Sequence, residues 1–278
     1  EDPRRPLFNT STLARNDDSS TGEVSLGFAI NFFGLSQSSL FVNNNGNVTF
    51  GSSSSTFTPS NLVASGQKPR IAPFFADVDT NGALSNEVTY GTGTIDGRRA
   101  FGVNWPGVGY YGGRTDKLNS FQLVLIERAD IVPGQGNFDI ELNYEQIQWE
   151  TGDASGGTLG IGGRSARVGF TKGTGASGTY FQLEGSGVNG ALLDSNSPSS
   201  TSLVQNSLNY SVPGRYLLSA RNGVIPEAVT PVESQSLDFG DAPTSYPTTT
   251  ADNGARHTPT GPTLGLNRDS ESDGPPTP

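Results

Sequence analysis

Residues 120–127 (SFQLVLIE) and 138–144 (FDIELNY) carry the apolar pattern that decides the fold class of this chain. In the second stretch, apolar residues take alternate positions, which predicts a strand whose core-facing side chains are Phe138, Ile140, Leu142 and Tyr144. The polar residues between them are predicted to face solvent: Asp139, Glu141 and Asn143. The first stretch is apolar almost throughout, as expected of a central strand that is covered on both faces and buries Leu123 and Leu125.

Short β-branched and aromatic runs recur between turn residues along most of the chain, as is typical of all-β proteins. They predict further strands at residues 24–33, 39–42, 47–50, 99–104, 166–171, 180–183 and 215–218. Tight turns are favoured by Asn45-Gly46, Asn81-Gly82, Asp96-Gly97 and Asn189-Gly190. No stretch has a sustained helical period, so no helices are expected to cover a parallel sheet. We therefore expect an all-β antiparallel β-sandwich with an extended N-terminal arm and an acidic C-terminal tail.

The composition excludes several classes of function. The chain has 278 residues, a formal net charge of −10, no Cys and one His. Without Cys, thiolate catalysis, iron–sulfur clusters and thiolate zinc sites are excluded, and one His cannot form a multi-histidine centre. The negative charge and the lack of a Lys/Arg cluster exclude a nucleic-acid partner. No apolar run approaches the roughly 18 residues that span a bilayer, so we expect no transmembrane segment.

The residues that are absent or abundant also indicate a habitat. The chain contains 37 Gly and no Met, and it is rich in Ser, Thr and Asn. An acidic chain of this kind without Cys is expected of a prokaryotic protein that is extracellular or at the cell surface. Because translation starts with Met, we expect Glu1 to be a processed end.

Composition shifts divide the chain into four predicted segments. They are an N-terminal arm (1–20), a β-sandwich domain (21–222), a linker with two prolines (223–236) and an acidic Pro/Gly-rich tail (237–278). The tail has too few large apolar residues to bury a core unaided. We therefore expect it to be held by a neighbouring subunit, with its largest apolar side chains as anchors: Phe239, Tyr246 and Leu264.

From about residue 40 to 220 the chain resembles the nidogen-like extracellular domain family. The resemblance rests on LFVNNNGNVTFG (40–51), IAPFFADVDT (71–80), RAFGVNWPGVGYY (99–111), SFQLVLIER (120–128), FDIELNYEQIQWETGDASGG (138–157) and ARVGFTKG (166–173). Phe75 stands where the second of these motifs usually has Trp. The resemblance implies an extracellular β-rich module of adhesive and matrix proteins, and it carries over no catalytic residues.

The tail resembles a second pattern, a motif that recurs in very large bacterial surface proteins. Its parts here are LDFGDAP (237–243), DNGARH (252–257) and DSESDGPP (269–276). In those proteins the motif opens an acidic, calcium-associated β module. Only the opening is present here, so the resemblance implies a partial module and favours a bacterial source.

Two groups of acidic residues are candidates for binding Ca²⁺. The segment DVDTNG (77–82) places Asp77, Asp79 and Asn81 at the alternate positions of a calcium loop, although the EF-hand's twelfth-position Glu is Val88 here. The alternative is a polar turn in which Asp side chains accept N–H groups. The second group lies in the tail and forms either a Ca²⁺ site or a solvated acidic segment: Asp238, Asp241, Asp252, Asp269, Glu271 and Asp273.

No residue stands in a catalytic context. His257 has no recognisable nucleophile motif to serve, and GTGTIDGRR (91–99) lacks the ending of a phosphate loop, so we expect a hairpin there. Paired carboxylates of the glycosidase type are not indicated by the setting of Glu141, Glu145 or Glu150. The sequence therefore predicts that the protein is not an enzyme.

Two features remain as candidates for surface contacts. Trp105, Tyr110 and Tyr111 form either an exposed aromatic patch for a glycan or part of the core. Glycosylation sequons stand at Asn9, Asn47 and Asn209.

We expect a non-enzymatic extracellular structural or adhesive protein that self-assembles into a filament or matrix, its tail or arm docking on a neighbour by strand addition. The alternative is an adhesive module of a larger cell-surface protein that binds a glycan or a protein through its loops.

Overall fold

A computed structural model gives the fold, and it describes residues 8–196 and 201–228 together with the backbone of 238–239 and 256–257. The chain divides into two units, Glu1–Val229 and Thr230–Pro278. In the second unit the described residues form an antiparallel pair of short strands, β14 (Asp238–Phe239) and β15 (Arg256–His257).

The described part of the first unit consists of strands joined by turns and loops. The strands are β1 (Ser11–Leu13), β2 (Val24–Phe32), β3 (Leu35–Asn43), β4 (Asn47–Thr49), β5 (Arg70–Phe75), β6 (Val78–Asp79), β7 (Val88–Ile95), β8 (Arg98–Tyr110), β9 (Arg114–Glu127), β10 (Phe138–Gln146), β11 (Arg167–Thr171), β12 (Tyr180–Gln182) and β13 (Arg215–Ala220). Two single 3-10 turns lie at Asp153–Ser155 and Pro226–Ala228.

These strands form two antiparallel sheets that pack face to face, which confirms the predicted all-β sandwich. The first sheet has the order β1-β7-β8-β9-β10-β13, with β6 also paired to β8, and the second has the order β12-β11-β5-β4-β3-β2. Their inner faces share one hydrophobic core. Aromatic contacts cross it, because the ring of Phe74 on β5 lies 5.3 Å from Phe121 on β9 and 5.8 Å from Trp149.

The two stretches that decided the fold class are neighbours in the middle of the first sheet. Ile140 pairs with Leu125 and Leu142 with Leu123, and all four side chains are buried as predicted. Strand β9 is also covered on its outer face, where Val124 and Ile126 join a smaller apolar cluster. Burying each such side chain stabilises the fold by about 1.5–3 kcal/mol.

The prediction that Asp139, Glu141 and Asn143 face solvent is wrong. All three are buried on the outer face of the first sheet, between residues of the flanking strands β9 and β13. Their polar groups are paired across the strands. Asp139 forms ion pairs with Arg128 and Arg221, and Asn143 Nδ2 donates to Gln122 at 3.0 Å. Alternation therefore identified the polar face correctly but not what covers it.

Two of the predicted turns need their glycines. Residues 91–99 form the expected β7–β8 hairpin, with φ of 49° at Asp96 and 77° at Gly97. Gly46 joins β3 to β4 with φ of 67°, and a Cβ there would lie 1.8 Å from the carbonyl oxygen of Phe74. The turn therefore packs its backbone directly on β5, which no other residue allows.

The ends of the first unit are more integrated than the sequence indicates. In the expected N-terminal arm, β1 pairs with β7 at the edge of the first sheet. In the expected linker, Ile225 and Ala228 are buried in the main core. Residues 223–228 therefore belong to the first unit, while Tyr246 and Leu264, expected as anchors, lie outside the described residues.

Candidate functional site

The acidic segment that follows β5 separates the three residues expected to bind Ca²⁺ there. Asp79 is used locally, since its Oδ1 accepts from Asn81 N at 2.8 Å and its Oδ2 accepts from Gly113 N at 2.7 Å. Asn81 is exposed. Asp77 is only 1% exposed, and neither of its carboxylate oxygens has a hydrogen-bond partner.

Asp77 instead meets two acidic residues from the N-terminal part of the chain. The carboxylates of Asp17, Asp18 and Asp77 each place an oxygen within 4.8 Å of the other two. We call these three residues the acidic cluster. Asp17 and Asp18 are half-buried, and Asp17 Oδ1 is a further buried oxygen without a partner. Among the described residues, these are the carboxylates whose positions fit a shared metal ion.

The electrostatics of the acidic cluster disfavour three free charges. Burial raises the pKa of Asp77 to about 7, and repulsion from Asp17, Asp18, Asp79 and Asp153 adds to this effect. Burial and the negative charges of Asp79 and Asp18 likewise raise the pKa of Asp17 to about 6. A carboxylate without hydrogen bonds in such a place is costly unless something positive accompanies it.

The Asn-rich turn between β3 and β4 holds the acidic cluster together. Asn44 Nδ2 donates at 2.6 Å to the carbonyl oxygens of both Asp17 and Val78. Asn45 Nδ2 donates to Asp18 Oδ1 at 2.8 Å, while Asn45 Oδ1 accepts from Val78 N at 2.8 Å. The turn thus holds the backbone of Asp17 and Asp18 against β6, the strand that begins directly after Asp77.

Gly152 packs directly against the side chain of Asp77 in the acidic cluster. Its φ is −85°, an ordinary value, so its backbone does not require glycine. A Cβ at this position would lie 2.5 Å from Asp77 Oδ2 and 2.7 Å from the Cβ of Tyr111. The absent side chain therefore leaves the room that the Asp77 carboxylate occupies.

Sequence reasoning missed Asp17 and Asp18. Their only local signal is an adjacent acidic pair in RNDDSS (15–20), which is unremarkable in a polar segment. Of the expected tail ligands, Asp241, Asp252, Asp269, Glu271 and Asp273 lie outside the described residues, and Asp238 is described as backbone only in β14. His257 is likewise described only as backbone, in β15.

The glutamates considered as catalytic candidates have different settings. Glu141 is buried and faces Arg215 Nε at 3.6 Å. Glu150 is also buried, and its two oxygens accept from the N–H groups of Leu192 and Gly190, each at 2.8 Å. Glu145 is exposed. Glu141 and Glu150 therefore hold strands and loops in place.

Of the two alternatives for Trp105, Tyr110 and Tyr111, the structure favours a place in the core. Trp105 and Tyr110 are fully buried, and only Tyr111, 39% exposed, reaches the surface. Trp105 stacks on Phe121 at 5.0 Å, and its Nε1 donates to the carbonyl oxygen of Asn44 at 2.9 Å. Trp105, on β8 of the first sheet, therefore holds the Asn-rich turn in place from the core side.

Of the three sequons, one is inaccessible in the folded chain. Asn47 is fully buried, donating from Nδ2 to the carbonyl oxygen of Asn45 and accepting from Asn43 Nδ2 at Oδ1, both at 2.9 Å. Asn9 and Asn209 are exposed. Only these two of the three sequons therefore lie at the surface.

Three exposed apolar side chains lie on loops between residues 159 and 188. Leu159, Ile161 and Val188 are each about half exposed. Ile161 also lines a shallow groove of about 450 Å³ together with Asn189, Gly190 and Leu193. In the described residues there is no helix with the length and hydropathy of a membrane span.

Comparison with known proteins gives the family. The profile of the nidogen-like domain matches residues 38–222. Mouse α-tectorin is 32% identical over 244 residues, which are 77% of this chain and 10% of α-tectorin. Chicken α-tectorin is 31% identical over 257 residues (84% and 11%), and Drosophila melanogaster nidogen is 26% identical over 247 residues (80% and 16%).

The chain thus spans about a tenth of the length of the α-tectorins that it matches. No solved structure matches it significantly. The domain is extracellular. Because the profile covers most of the sandwich and the α-tectorin similarity covers most of the chain, this protein belongs to the nidogen-like domain family.

Proposed function

We propose that the chain is a non-enzymatic structural module of an extracellular assembly, in which copies join through the N-terminal arm (1–20) or the tail (237–278). The family and its relatives support a structural extracellular role. The settings of the candidate catalytic groups also support it, since Glu141 and Glu150 are bound within the sandwich.

The observation that carries the proposal is the way in which the arm is attached. Phe8 packs with Ile95, Ala100, Val124 and Ile126 in a cluster separate from the main core. Its ring lies in a notch above two glycines, because a Cβ at Gly102 or Gly93 would come within 2.0 or 2.8 Å of a Phe8 ring carbon. A terminal segment with its own anchor and its own notch can be exchanged with a neighbouring copy at low cost.

The sheet edge beside the arm supports the same proposal. Strand β1 covers only the first three residues of β7. Among the described residues, the rest of β7, Gly91–Ile95, pairs with β8 alone, and Thr92, Gly93 and Thr94 are exposed. Unpaired edges accept extended segments through main-chain hydrogen bonds. A head-to-tail contact made in this way propagates into a fibre when its rotation does not close a ring.

The alternative, an adhesive module that binds a protein through its loops, is favoured by Leu159, Ile161 and Val188. Ile161 and Leu193 line the groove described above, and exposed apolar surface of this kind is typical of interaction sites. The burial of Trp105 and Tyr110 disfavours glycan stacking. The resemblance of residues 237–278 to a module of bacterial surface proteins stays a prediction.

The assembly proposal is tested on the intact chain by light scattering after size exclusion and by negative-stain electron microscopy over a range of concentrations. We expect the mass of the assemblies to grow with concentration. This growth should be lost either in Phe8→Ala or on deletion of residues 237–278, according to whether the arm or the tail joins the copies. Leu62→Ala, which truncates a different small apolar cluster, is the matched control and should still assemble. An intact chain that stays monomeric at every concentration contradicts the proposal and leaves the adhesive module.

A further inference from the structure

We propose that the acidic cluster of Asp17, Asp18 and Asp77 is a binding site for one Ca²⁺ ion. The site differs from the loop that the DVDTNG spacing indicates, because it uses only Asp77 from that loop. It is independent of the proposed role in assembly.

The first argument is that the buried carboxylate of Asp77 has no hydrogen-bond partner. Its side chain is 1% exposed, and both carboxylate oxygens lack a hydrogen-bond partner. Buried polar atoms almost always find a partner, and an orphaned buried oxygen calls for an explanation such as an ion. Asp77 has two such oxygens, and its carboxylate lies within 4.8 Å of oxygens of Asp17 and Asp18, so a shared cation would supply the missing partner.

The second argument is the spacing. Calcium binds oxygen at about 2.3–2.6 Å, so two oxygens on opposite sides of one ion lie about 4.8 Å apart. The three carboxylates of the acidic cluster place their oxygens within that separation. An ion placed among the three oxygens therefore lies at or near calcium–oxygen distance from each of them.

The third argument is that the cluster is built in advance. The Asn44 and Asn45 side chains tie the Asp17–Asp18 backbone to Val78, and Asn45 Nδ2 also orients the Asp18 carboxylate. Gly152 leaves the space beside Asp77 Oδ2. Carboxylates pressed together by structural hydrogen bonds are held in a repulsive arrangement that a cation relieves.

The donor set selects the metal. All three side chains offer hard carboxylate oxygens, and the chain has no Cys and a single His. Such a set suits Ca²⁺ or Mg²⁺ rather than Zn²⁺ or copper. Calcium is favoured, because it accepts irregular geometry and completes its shell with water, whereas Mg²⁺ demands a near-ideal octahedron.

The test is thermal unfolding of the intact chain in CaCl₂ and in EGTA, together with calorimetric titration of CaCl₂. A ligand that binds only the native state stabilises it by mass action. For an affinity typical of extracellular calcium modules, about 5 mM CaCl₂ should raise Tm by roughly 2–9 °C. MgCl₂ at the same concentration should raise it less.

Asp77→Asn is the decisive variant. It should lose the calcium-dependent rise in Tm and bind one Ca²⁺ fewer by titration, while in EGTA it should melt no lower than the wild type because a buried repulsion is removed. Asp96→Asn, the same change in the β7–β8 turn, is the matched control and should keep the full calcium response. If Asp77→Asn does not fold, Asp18→Asn serves instead, since an Asn there still accepts from Asn45.

Calcium held by the tail is separated from the cluster by a third variant, Asp269→Asn/Glu271→Gln/Asp273→Asn. This variant should keep the part of the calcium response that Asp77→Asn loses. The proposal is overturned if the wild type melts at one temperature in calcium and in EGTA, or if Asp77→Asn keeps both the full shift and the full number of bound ions.

Discussion

At Gly152 the side chains of Asp77 and Tyr111 take the place that a Cβ would fill, and this close approach makes a sharp test of the acidic cluster's packing. Gly152→Ala puts a methyl group 2.5 Å from Asp77 Oδ2 and 2.7 Å from the Cβ of Tyr111. We expect a loss of about 1–3 kcal/mol in the free energy of unfolding, measured by urea denaturation. Gly22→Ala is the control, because a Cβ at Gly22 meets nothing within 4 Å. Equal stabilities of the two variants would contradict the packing described for Gly152.

Glu150 gives a prediction about pH. Burial raises the pKa of Glu150 above its ordinary value of 4.5, although hydrogen bonds from Leu192, Gly190 and Ser165 oppose that rise. The folded state therefore binds this proton more tightly than the unfolded state does. The group favours folding below about pH 4.5 and loses that contribution as the pH rises through its raised folded-state pKa.

Glu150→Gln mimics the protonated carboxyl at every pH and so isolates this effect. We expect the stability of the wild type relative to the variant to fall as the pH rises from about 4.5 to about 8. Urea unfolding of both proteins at several pH values measures the difference. A difference that is flat, or that grows with pH, would show that Glu150 is not the group responsible.

At the scale of elements, one turn organises both sheets. The Asn-rich turn joins β3 to β4, packs through Gly46 on β5, and is supported from the first sheet by the Nε1 of Trp105. Asn44 links the N-terminal segment to Val78, the first residue of β6, which brings the acidic cluster together. A motif that reads as a simple hairpin in sequence thus acts as a tertiary clamp.

Asn44→Ala should show the strength of this clamp. It removes the donor shared by the carbonyl oxygens of Asp17 and Val78, leaving one partly buried and one buried acceptor short of a partner. We expect a cost of about 2–4 kcal/mol in the free energy of unfolding by urea denaturation. Asn61→Ala, at an exposed position, is the control and should change stability by about 0.5 kcal/mol or less. A cost for Asn44→Ala as small as that of the control would rule out the clamp.

Elements were predictable from the sequence to the extent that their signals are local. Alternation identified β10, and continuous apolar character identified β9, because the side-chain period is a property of one strand. The cover over Glu141 and Asn143 was not predictable, since it depends on other segments of the chain. The acidic cluster was not predictable for the same reason, because Asp18 and Asp77 are brought together only by the hydrogen bonds of Asn44 and Asn45.

At the scale of the whole molecule, the first unit closes later in the chain than its composition indicates. Composition changes near residue 223, yet Ile225 and Ala228 are buried in the main core and Arg221 pairs with Val224. The low apolar content of residues 223–236 hides two core residues, because a single buried side chain leaves little trace in an average. The boundary between the units accordingly lies at residues 229 and 230.

Truncation tests where the sandwich ends. A chain that stops at Val229 keeps Ile225 and Ala228, so its first unit should unfold like that of the intact protein. A chain that stops at Asn222 loses both, and truncation of a buried Ile costs about 2–5 kcal/mol, which calorimetry would detect as a lower Tm. A third chain that stops at Ser236 controls for shortening itself, and it should match the Val229 chain. If the chains ending at Asn222 and Val229 melt together, residues 223–228 only lie on the surface, and the unit ends where its composition changes.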